Sequence, residues 1–499
     1  MTAAILSQAL ALVFDPYVLW VIVASAAFGL FVGAIPGLTA TMATALLVPV
    51  TFFMPPVPAI ASIVTATAMA IFAGDIPSCL LRMPGTPASA AYTDEAYAMT
   101  KKGQGEIALG SGLVFSVIGG LFGTAVLIVA APALAEIALK FSSFEYFWLV
   151  ILGLSSAVFL AIGDPLKGVV SLLLGLLVSA VGLDNPAAFP RFTFGNAELA
   201  GGLTLIPIMI GMFAVSEIIR NVATMDQPWI MAQTKIGNIF TGMWSLTKKY
   251  PLAIVRGSTL GTAIGALPGA GADIAAWMSY AMSKKFSKEP EKFGSGHVEG
   301  IIEAGASNNS ALAGAWIPAL VFGIPGDSIT AIVIGVLYIK GLNPGPTIFM
   351  NNAVALYAIF IVFILANLLM IPLGIAAIKG AKQMLRAPRE LLLPIILLFC
   401  IVGSFAINNS AFGVVLMLAF GIVGYVMEEN GFPVAPAILG MVLGAMLEEN
   451  FISSMIKADG RLLAFFERPI AGSLGALTLI VLSVPVIKRL IAQRNVTSA

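Results

Sequence analysis

Three long stretches of this chain carry no charged or histidine side chain, and this feature constrains the fold more than any other. Residues 16–74, 341–378 and 391–427 contain no Asp, Glu, Lys, Arg or His. A membrane-spanning helix needs about 20 apolar residues, and a typical soluble chain carries about 25% charged residues. Here 10% of the 499 residues are charged and 59% are hydrophobic. We therefore predict an all-α polytopic membrane protein with about 10–14 transmembrane segments.

A phrase built around Pro-Gly occurs twice within this apolar sequence. Residues 33–37, GAIPG, recur as 265–269, GALPG. A second phrase follows each copy, at 76–85 and at 317–326, with the same spacing between its two prolines. Proline removes a backbone donor, and glycine frees the chain to leave helical geometry. The pairing predicts two structural repeats with broken helices or re-entrant hairpins, which mark binding sites in transporters.

The placement of lysine and arginine predicts that the two repeats are inverted. Lys248 and Lys249 precede the second repeat, whereas the only charged residue before the first phrase is Asp15. Cytoplasmic loops are rich in Lys and Arg, so the repeats are predicted to enter the membrane from opposite sides. The predicted divisions are a first membrane repeat (1–225), a second membrane repeat (226–430) and C-terminal membrane helices (431–499).

Small, hydroxyl and amide residues cluster around the predicted breaks. A broken helix presents free N–H groups that suit a carboxylate and free C=O groups that suit Na⁺. Glycine allows close approach to the backbone, and oxygen atoms are the ligands that hard cations prefer. The residues predicted to bind substrate are Pro36, Gly37, Thr39, Gly85, Thr86, Gly269, Gly271, Asn308, Asn309, Gly326 and Ser328. The residues predicted to bind the coupling cation, and so the candidate Na⁺ ligands, are Thr41, Asp273, Ser310 and Asp327.

Structural alternatives exist for these residues. Gly, Ser and Thr also let transmembrane helices pack closely, and Asp327 is placed to cap the apolar helix that follows it. Asp273, Glu303 and Asp327 each need a partner or a function, because a charge at the bilayer centre costs about 2.5–3.5 kcal/mol. The chain contains no HExxH, GxSxG or Walker A phrase, so we predict no enzyme and no cofactor besides Na⁺ or H⁺ as coupling ion.

Longer phrases around these motifs resemble the TctA-type large membrane subunit of the tripartite tricarboxylate transporters. The phrases extend over nearly the whole chain and lie at 33–52, 76–91, 265–277, 299–332, 432–451 and 467–470. One departure from the family pattern is Ala445, where the family often has Pro, and it affects packing more than function.

The resemblance implies a multi-pass protein of the bacterial inner membrane that takes up carboxylates by cation symport. Its substrate would be citrate or a related di- or aromatic carboxylate, and Na⁺ or H⁺ would drive uptake. The implied partners are a small TctB-type transmembrane subunit and a periplasmic TctC-type solute-binding protein, with no nucleic acid. An elevator-type movement of paired hairpins is also implied. A passive anion channel or pore subunit stays open as the alternative function.

Overall fold

Helices account for the architecture, as the long uncharged stretches predict. The computed structural model describes residues 3–160, 164–183, 189–223, 237–385 and 388–497. Within these residues no β-strand forms, and two residues on either side of a loop make an isolated backbone bridge, Gly182 with Arg191. The all-α prediction is confirmed.

The first part of the chain contains twelve helices in the described residues. They are α1 (Ala3–Val13), α2 (Pro16–Ala34), α3 (Ala40–Phe52), α4 (Pro56–Ala73), α5 (Asp75–Leu81), α6 (Thr93–Lys101), α7 (Gly105–Ala138), α8 (Ser143–Leu160), α9 (Pro165–Ser179), α10 (Ala197–Ala200), α11 (Leu205–Ile210) and α12 (Ser216–Ala223). A π-helical segment, Gly211–Val215, joins α11 to α12, and a 3₁₀ turn, Ser89–Tyr92, precedes α6.

The rest of the described chain contains twelve more helices. They are α13 (Met243–Lys249), α14 (Pro251–Gly265), α15 (Gly271–Phe286), α16 (Val298–Phe322), α17 (Ser328–Ile339), α18 (Ile348–Asn351), α19 (Ala353–Met384), α20 (Arg389–Asn408), α21 (Ala411–Glu429), α22 (Val434–Lys457), α23 (Ala464–Glu467) and α24 (Pro469–Thr497). The predicted boundary at 225 lies outside the described residues, and the division into three parts stays a prediction.

Eight helical stretches of the described chain are long and apolar enough to cross a membrane, and six shorter apolar helices accompany them. The most apolar part of the stretch formed by α4 and α5 is 100% buried, whereas those of α20 and α21 are 28% and 33% buried. Apolar faces on α20 and α21 are therefore available to lipid, as a polytopic membrane protein requires. Among the shorter helices, α3 and α17 each begin just after a Pro-Gly pair.

The first phrase makes the same backbone contact in both halves. Gly33 of α2 packs on Ala70 of α4, and Gly265 of α14 packs on Ala311 of α16. A Cβ added to either glycine would lie 2.3 Å from the facing carbonyl oxygen. Only glycine allows this approach, because real Cβ atoms do not come so close to another atom. The repeated phrase therefore records a repeated helix contact.

The second phrase also repeats its geometry. Arg82 and Gly323, which end α5 and α16, both adopt left-handed backbone with φ of 61° and 67°. In each half the next residue donates its N–H to the carbonyl of the first proline of the phrase, at 3.4 and 3.3 Å. A Cβ on Gly85 or Gly326 would lie 2.8 or 2.7 Å from the carbonyl oxygen of the glycine that opens the first phrase. The two phrases of each half are thus in contact.

Hydrogen bonds from two lysines connect helix ends of one half to helix ends of the other half. At the end of α17, Lys340 donates to the carbonyl oxygens of Phe52 and Met54, just beyond α3, at 2.9 and 2.7 Å. After α6, Lys102 donates to the carbonyl of Ser295, just before α16, at 2.6 Å. The long helix α7 packs on α16, and its counterpart α19 packs on α4. These contacts join the two halves, and the inverted orientation of the repeats in the membrane stays a prediction.

The C-terminal helices pack on α8 and α9. α22 contacts both, and α24 contacts α8. Phe144, Trp148 and Phe465 form an aromatic cluster between them, and Arg468 pairs with the buried Glu145 at 2.7 Å. This cluster is separate from the main core, whereas the first half of α22 packs into the main core through Val434, Ala437, Ile438 and Met441.

Candidate functional site

The residues that follow all four Pro-Gly pairs line one cavity of about 390 Å³. They belong to segments 39–41, 86–87, 269–274 and 327–329. Asn308 of α16 adds an amide, and α12, α21 and α22 complete the wall. The breaks predicted separately from the sequence therefore meet in space.

On the first-half side of the cavity, hydroxyl groups bond to the backbone where the helices are interrupted. Thr39 caps α3, and its hydroxyl accepts the N–H of Met42 at 3.2 Å. Thr86 and Ser89 exchange hydrogen bonds, since each hydroxyl accepts the other residue's N–H, at 3.2 and 3.1 Å. The first-half segments 39–41 and 86–87 therefore bring hydroxyl groups and no carboxylate to the cavity.

On the second-half side, carboxylates take the corresponding places. Asp327 and Thr330 form a capping box at the start of α17. Asp327 Oδ1 accepts the Thr330 N–H at 2.7 Å, and the Thr330 hydroxyl accepts the Asp327 N–H at 2.9 Å. Asp327 also packs against Gly271, where an added Cβ would lie 2.6 Å from the Asp327 Cβ. Asp273 accepts the N–H of Ala88 and lies close enough to Asp327 for their charges to repel. Two carboxylates beside one cavity form an anionic environment that suits a cation.

The asymmetry between the halves follows from position in the repeat. Thr41 and Asp273 each stand four residues after the first Pro-Gly pair, and Thr86 and Asp327 each follow the second pair directly. The duplicated site therefore carries two hydroxyl groups in one half and two carboxylates in the other.

A third wall of the cavity carries an ion-pair cluster. Arg220 of α12 pairs with Glu217 at 2.7 Å and with Glu428 of α21. The described lining contains the carboxyl groups of Glu217, Asp273, Asp327 and Glu428 and the guanidinium of Arg220, a formal charge of −3. Such a cavity attracts cations and repels an anion unless cations enter with it.

The structure brings nine of the fifteen predicted residues to the cavity. They are Thr39, Thr41, Thr86, Gly269, Gly271, Asp273, Asn308, Asp327 and Ser328. Asp327 is at once a cavity residue and a helix cap, so the structural alternative predicted for it is also present.

The other predicted residues lie behind the cavity wall: Pro36, Gly37, Gly85, Asn309, Ser310 and Gly326. Gly37 has no side chain, and its carbonyl accepts a hydrogen bond from the Asn221 amide at 3.0 Å. Asn309 faces Met370 of α19 at 3.5 Å, and Ser310 bonds back to the carbonyl of Ser307 at 3.0 Å. Successive helical residues point about 100° apart, so only Asn308 of this run faces the cavity.

Glu303 has a partner outside the cavity. Arg256 of α14 donates to it through Nε at 2.6 Å and through a second guanidinium nitrogen. The ion pair neutralises a fully buried carboxylate and joins α14 to α16. It accounts for Glu303 without a transport role.

Sequence reasoning missed the cluster of Glu217, Arg220 and Glu428. The i,i+3 spacing of Glu217 and Arg220 could have indicated the local pair, but no pattern connects α12 to α21. It also missed Asp75, a carboxyl group that directly follows an uncharged stretch and precedes the second phrase.

Comparison with known proteins agrees with this architecture. The family model described as tripartite tricarboxylate transporter TctA family matches residues 19–439. An Agrobacterium vitis protein, described as an uncharacterized 52.8 kDa protein in the TAR-I ttuC' 3'region, is 34% identical over 451 residues, 90% of this chain and 89% of that protein. Another from that organism, described as an uncharacterized protein in the TAR-II ttuC' 3'region, is 36% identical over 220 residues, 44% of this chain and 91% of that protein. No solved structure matches the chain.

Apolar helices surround a cavity at which four helix interruptions meet. This arrangement defines a multi-pass membrane transport protein. The chain belongs to the TctA family of the tripartite tricarboxylate transporters. The predicted family is confirmed, and with it a transport role in a transporter of three components.

Proposed function

We propose that this chain carries out secondary active uptake of carboxylates by symport with Na⁺, in the bacterial inner membrane. A TctC-type periplasmic protein would deliver the substrate, and a TctB-type subunit would accompany the chain. The observation that carries the proposal is the cavity lined by four carboxyl groups and one guanidinium, which favours cations and disfavours a carboxylate that enters without them.

The asymmetry of the repeat supports a division of labour within the cavity. Asp273 and Asp327 would hold Na⁺ with the backbone carbonyls around Gly269, because carboxylate and carbonyl oxygens suit hard cations. Thr39, Thr41 and Thr86 would receive the substrate carboxylate, with the α3 N-terminus adding favourable backbone N–H groups. The two ligands would then neutralise each other across the cavity.

The membrane potential explains why symport is required. Moving a dianion into a cell held near −100 mV opposes about 2.3 kcal/mol per charge, or roughly 4.6 kcal/mol. Two cations per dianion cancel this electrical cost, and a third makes uptake electrogenic.

An elevator-type movement suits the distribution of contacts. The cavity lies between the hairpins of both halves and a wall formed by α12, α21 and α22. Movement of the hairpins past that wall would open the cavity to one side and then to the other.

Reconstituted vesicles test the function. The chain, its TctB-type subunit and its TctC-type protein would be given labelled carboxylates under a Na⁺ gradient with pH clamped. We expect accumulation that requires Na⁺ and the binding protein. Uptake that persists unchanged without Na⁺ would refute Na⁺ coupling. Conductance without the binding protein, and without accumulation, would favour the passive anion channel.

A further inference from the structure

Asp75 is a buried carboxyl group that the cavity described above does not use. It opens α5 inside the apolar stretch Pro56–Leu81, and it is 2% exposed. Its Oδ1 accepts the hydroxyl of Tyr92 at 2.6 Å. Its Oδ2 has no hydrogen-bond partner within the described part of the chain. An ionised carboxylate in this setting is costly unless its charge is neutralised.

The surroundings of Oδ2 favour a proton over a metal cation. Oδ2 faces the backbone of Gly112 on α7, where an added Cβ would lie 2.5 Å away. A hard cation needs several oxygen ligands, and a helix backbone whose groups are already bonded offers none. A proton needs only one oxygen and fits the space that Gly112 leaves.

The titratable groups near Asp75 carry no positive charge. Tyr92 and Cys79 are its titratable neighbours. Three acidic residues of the elements packed against α5 have other partners: Asp94 pairs with Arg82, Glu95 binds the loop 294–297, and Glu106 accepts from Gly237. Glu136, the other acidic residue of α7, lies near the far end of that helix from Gly112. Within the described residues, Asp75 has no cationic side chain as a partner.

A short chain of side chains connects Asp75 to the cavity. Asn308 lines the cavity, and its helix α16 packs on the 3₁₀ turn that ends at Tyr92, whose hydroxyl donates to Asp75. The Oδ1 atom of Asn308 has no protein partner among the described residues. We propose that Asp75 is a proton-binding site that exchanges its proton with the transport cavity through Tyr92, at the place where Asn308 meets the cavity.

Proton transfer at this place balances without another reactant. Tyr92 does not itself line the cavity, so the proton would reach it on a water molecule that passes Asn308. Tyr92 would give its hydroxyl hydrogen to Asp75 and take that proton at its own oxygen, so Tyr92 ends unchanged. One O–H bond forms on Asp75, and the water side loses one proton. The link to uptake rests on the proposed transport function, whereas the proton site itself does not.

Infrared difference spectroscopy of the purified chain in lipid tests the proton directly. We expect a carbonyl-stretch band of a protonated carboxylic acid at neutral pH that Asp75→Asn removes. Tyr92→Phe should shift this band, because Oδ1 loses its donor, and it keeps the test decisive if Asp75→Asn fails to fold. Asp94→Asn, which changes an exposed carboxyl group, should leave the band unchanged. A spectrum without such a band, or a band that Na⁺ removes, would overturn the proposal.

Uptake measurements test whether proton binding at Asp75 is coupled to substrate accumulation. At a fixed Na⁺ gradient, one pH unit across the membrane should raise accumulation about tenfold per coupled proton. Asp75→Asn should lose this factor and still exchange internal for external substrate. A wild-type chain that accumulates substrate without any pH factor would overturn the coupling. A wild-type chain that shows no uptake under any gradient would instead refute the transport proposal, and the infrared band would still decide the proton site.

Discussion

Single residues distinguish the two halves of the cavity, and Thr41 and Asp273 offer a matched pair. Na⁺ at a free concentration of a hundred times its Kd should stabilise the folded protein by about 2.7 kcal/mol. Asp273→Asn should lose this stabilisation, whereas Thr41→Ala should keep it and weaken carboxylate binding by about 1.5–3 kcal/mol, the value of a hydrogen bond to a charged group. Melting temperatures in Na⁺ and in K⁺, with and without carboxylate, measure both effects. The reverse pattern would contradict the proposed division of labour.

Gly85 and Gly326 test the repeated contact at the same scale. A Cβ on Gly85 would lie 2.5 Å from the Cα of Gly74, and one on Gly326 would lie 2.7 Å from the Cα of Ala315. Each alanine variant should lose about 1–3 kcal/mol of unfolding free energy through overpacking. Gly380→Ala in α19 is the control, because no neighbouring atom lies within 4 Å. Equal melting temperatures for all three variants would show that the contacts are not tight.

Among the elements, α6 and the loop before α16 depend on one buried carboxylate. Glu95 accepts the N–H groups of Gly296 and His297 at 2.6 and 2.7 Å, that of Gly294, and the hydroxyl of Tyr280 at 2.9 Å. Glu95→Gln leaves buried donors unpaired and should cost about 1–3 kcal/mol for each. Melting temperature and protease cleavage at 284–296 measure the loss. Glu291→Gln, an exposed change in the same loop, should have no such effect, and equal cleavage of both variants would contradict the role of Glu95.

For the whole molecule, the inverted arrangement predicts sidedness. Pro16, which begins α2, and Phe286, which ends α15, should lie on opposite sides of the membrane. Single cysteines at these positions should react with an impermeant thiol reagent from opposite sides of oriented vesicles. The natural Cys79 and Cys400 are buried and should not interfere. Reaction of both positions from the same side would refute the inverted repeat.

The fold class and the helix interruptions could be predicted from the sequence because both depend on neighbouring residues. A span needs an uninterrupted apolar run, and a Pro-Gly pair disturbs the helix in which it lies. The site could be predicted only in part. Nothing local distinguishes Asn308 from Asn309, and the contrast between them arises from the rotation of α16 against α7 and α19.

The sequence by itself determined that this protein is a duplicated, helical membrane transporter of the TctA family, because composition, spacing and motif are properties of the chain. Only the tertiary structure decided that the four breaks share one cavity, which Thr41, Thr86, Asp273 and Asp327 line together. It also assigned Arg256 to Glu303 and joined α12 to α21 through Arg220. These outcomes depend on which helix faces pack together, and residues far apart in sequence set that packing.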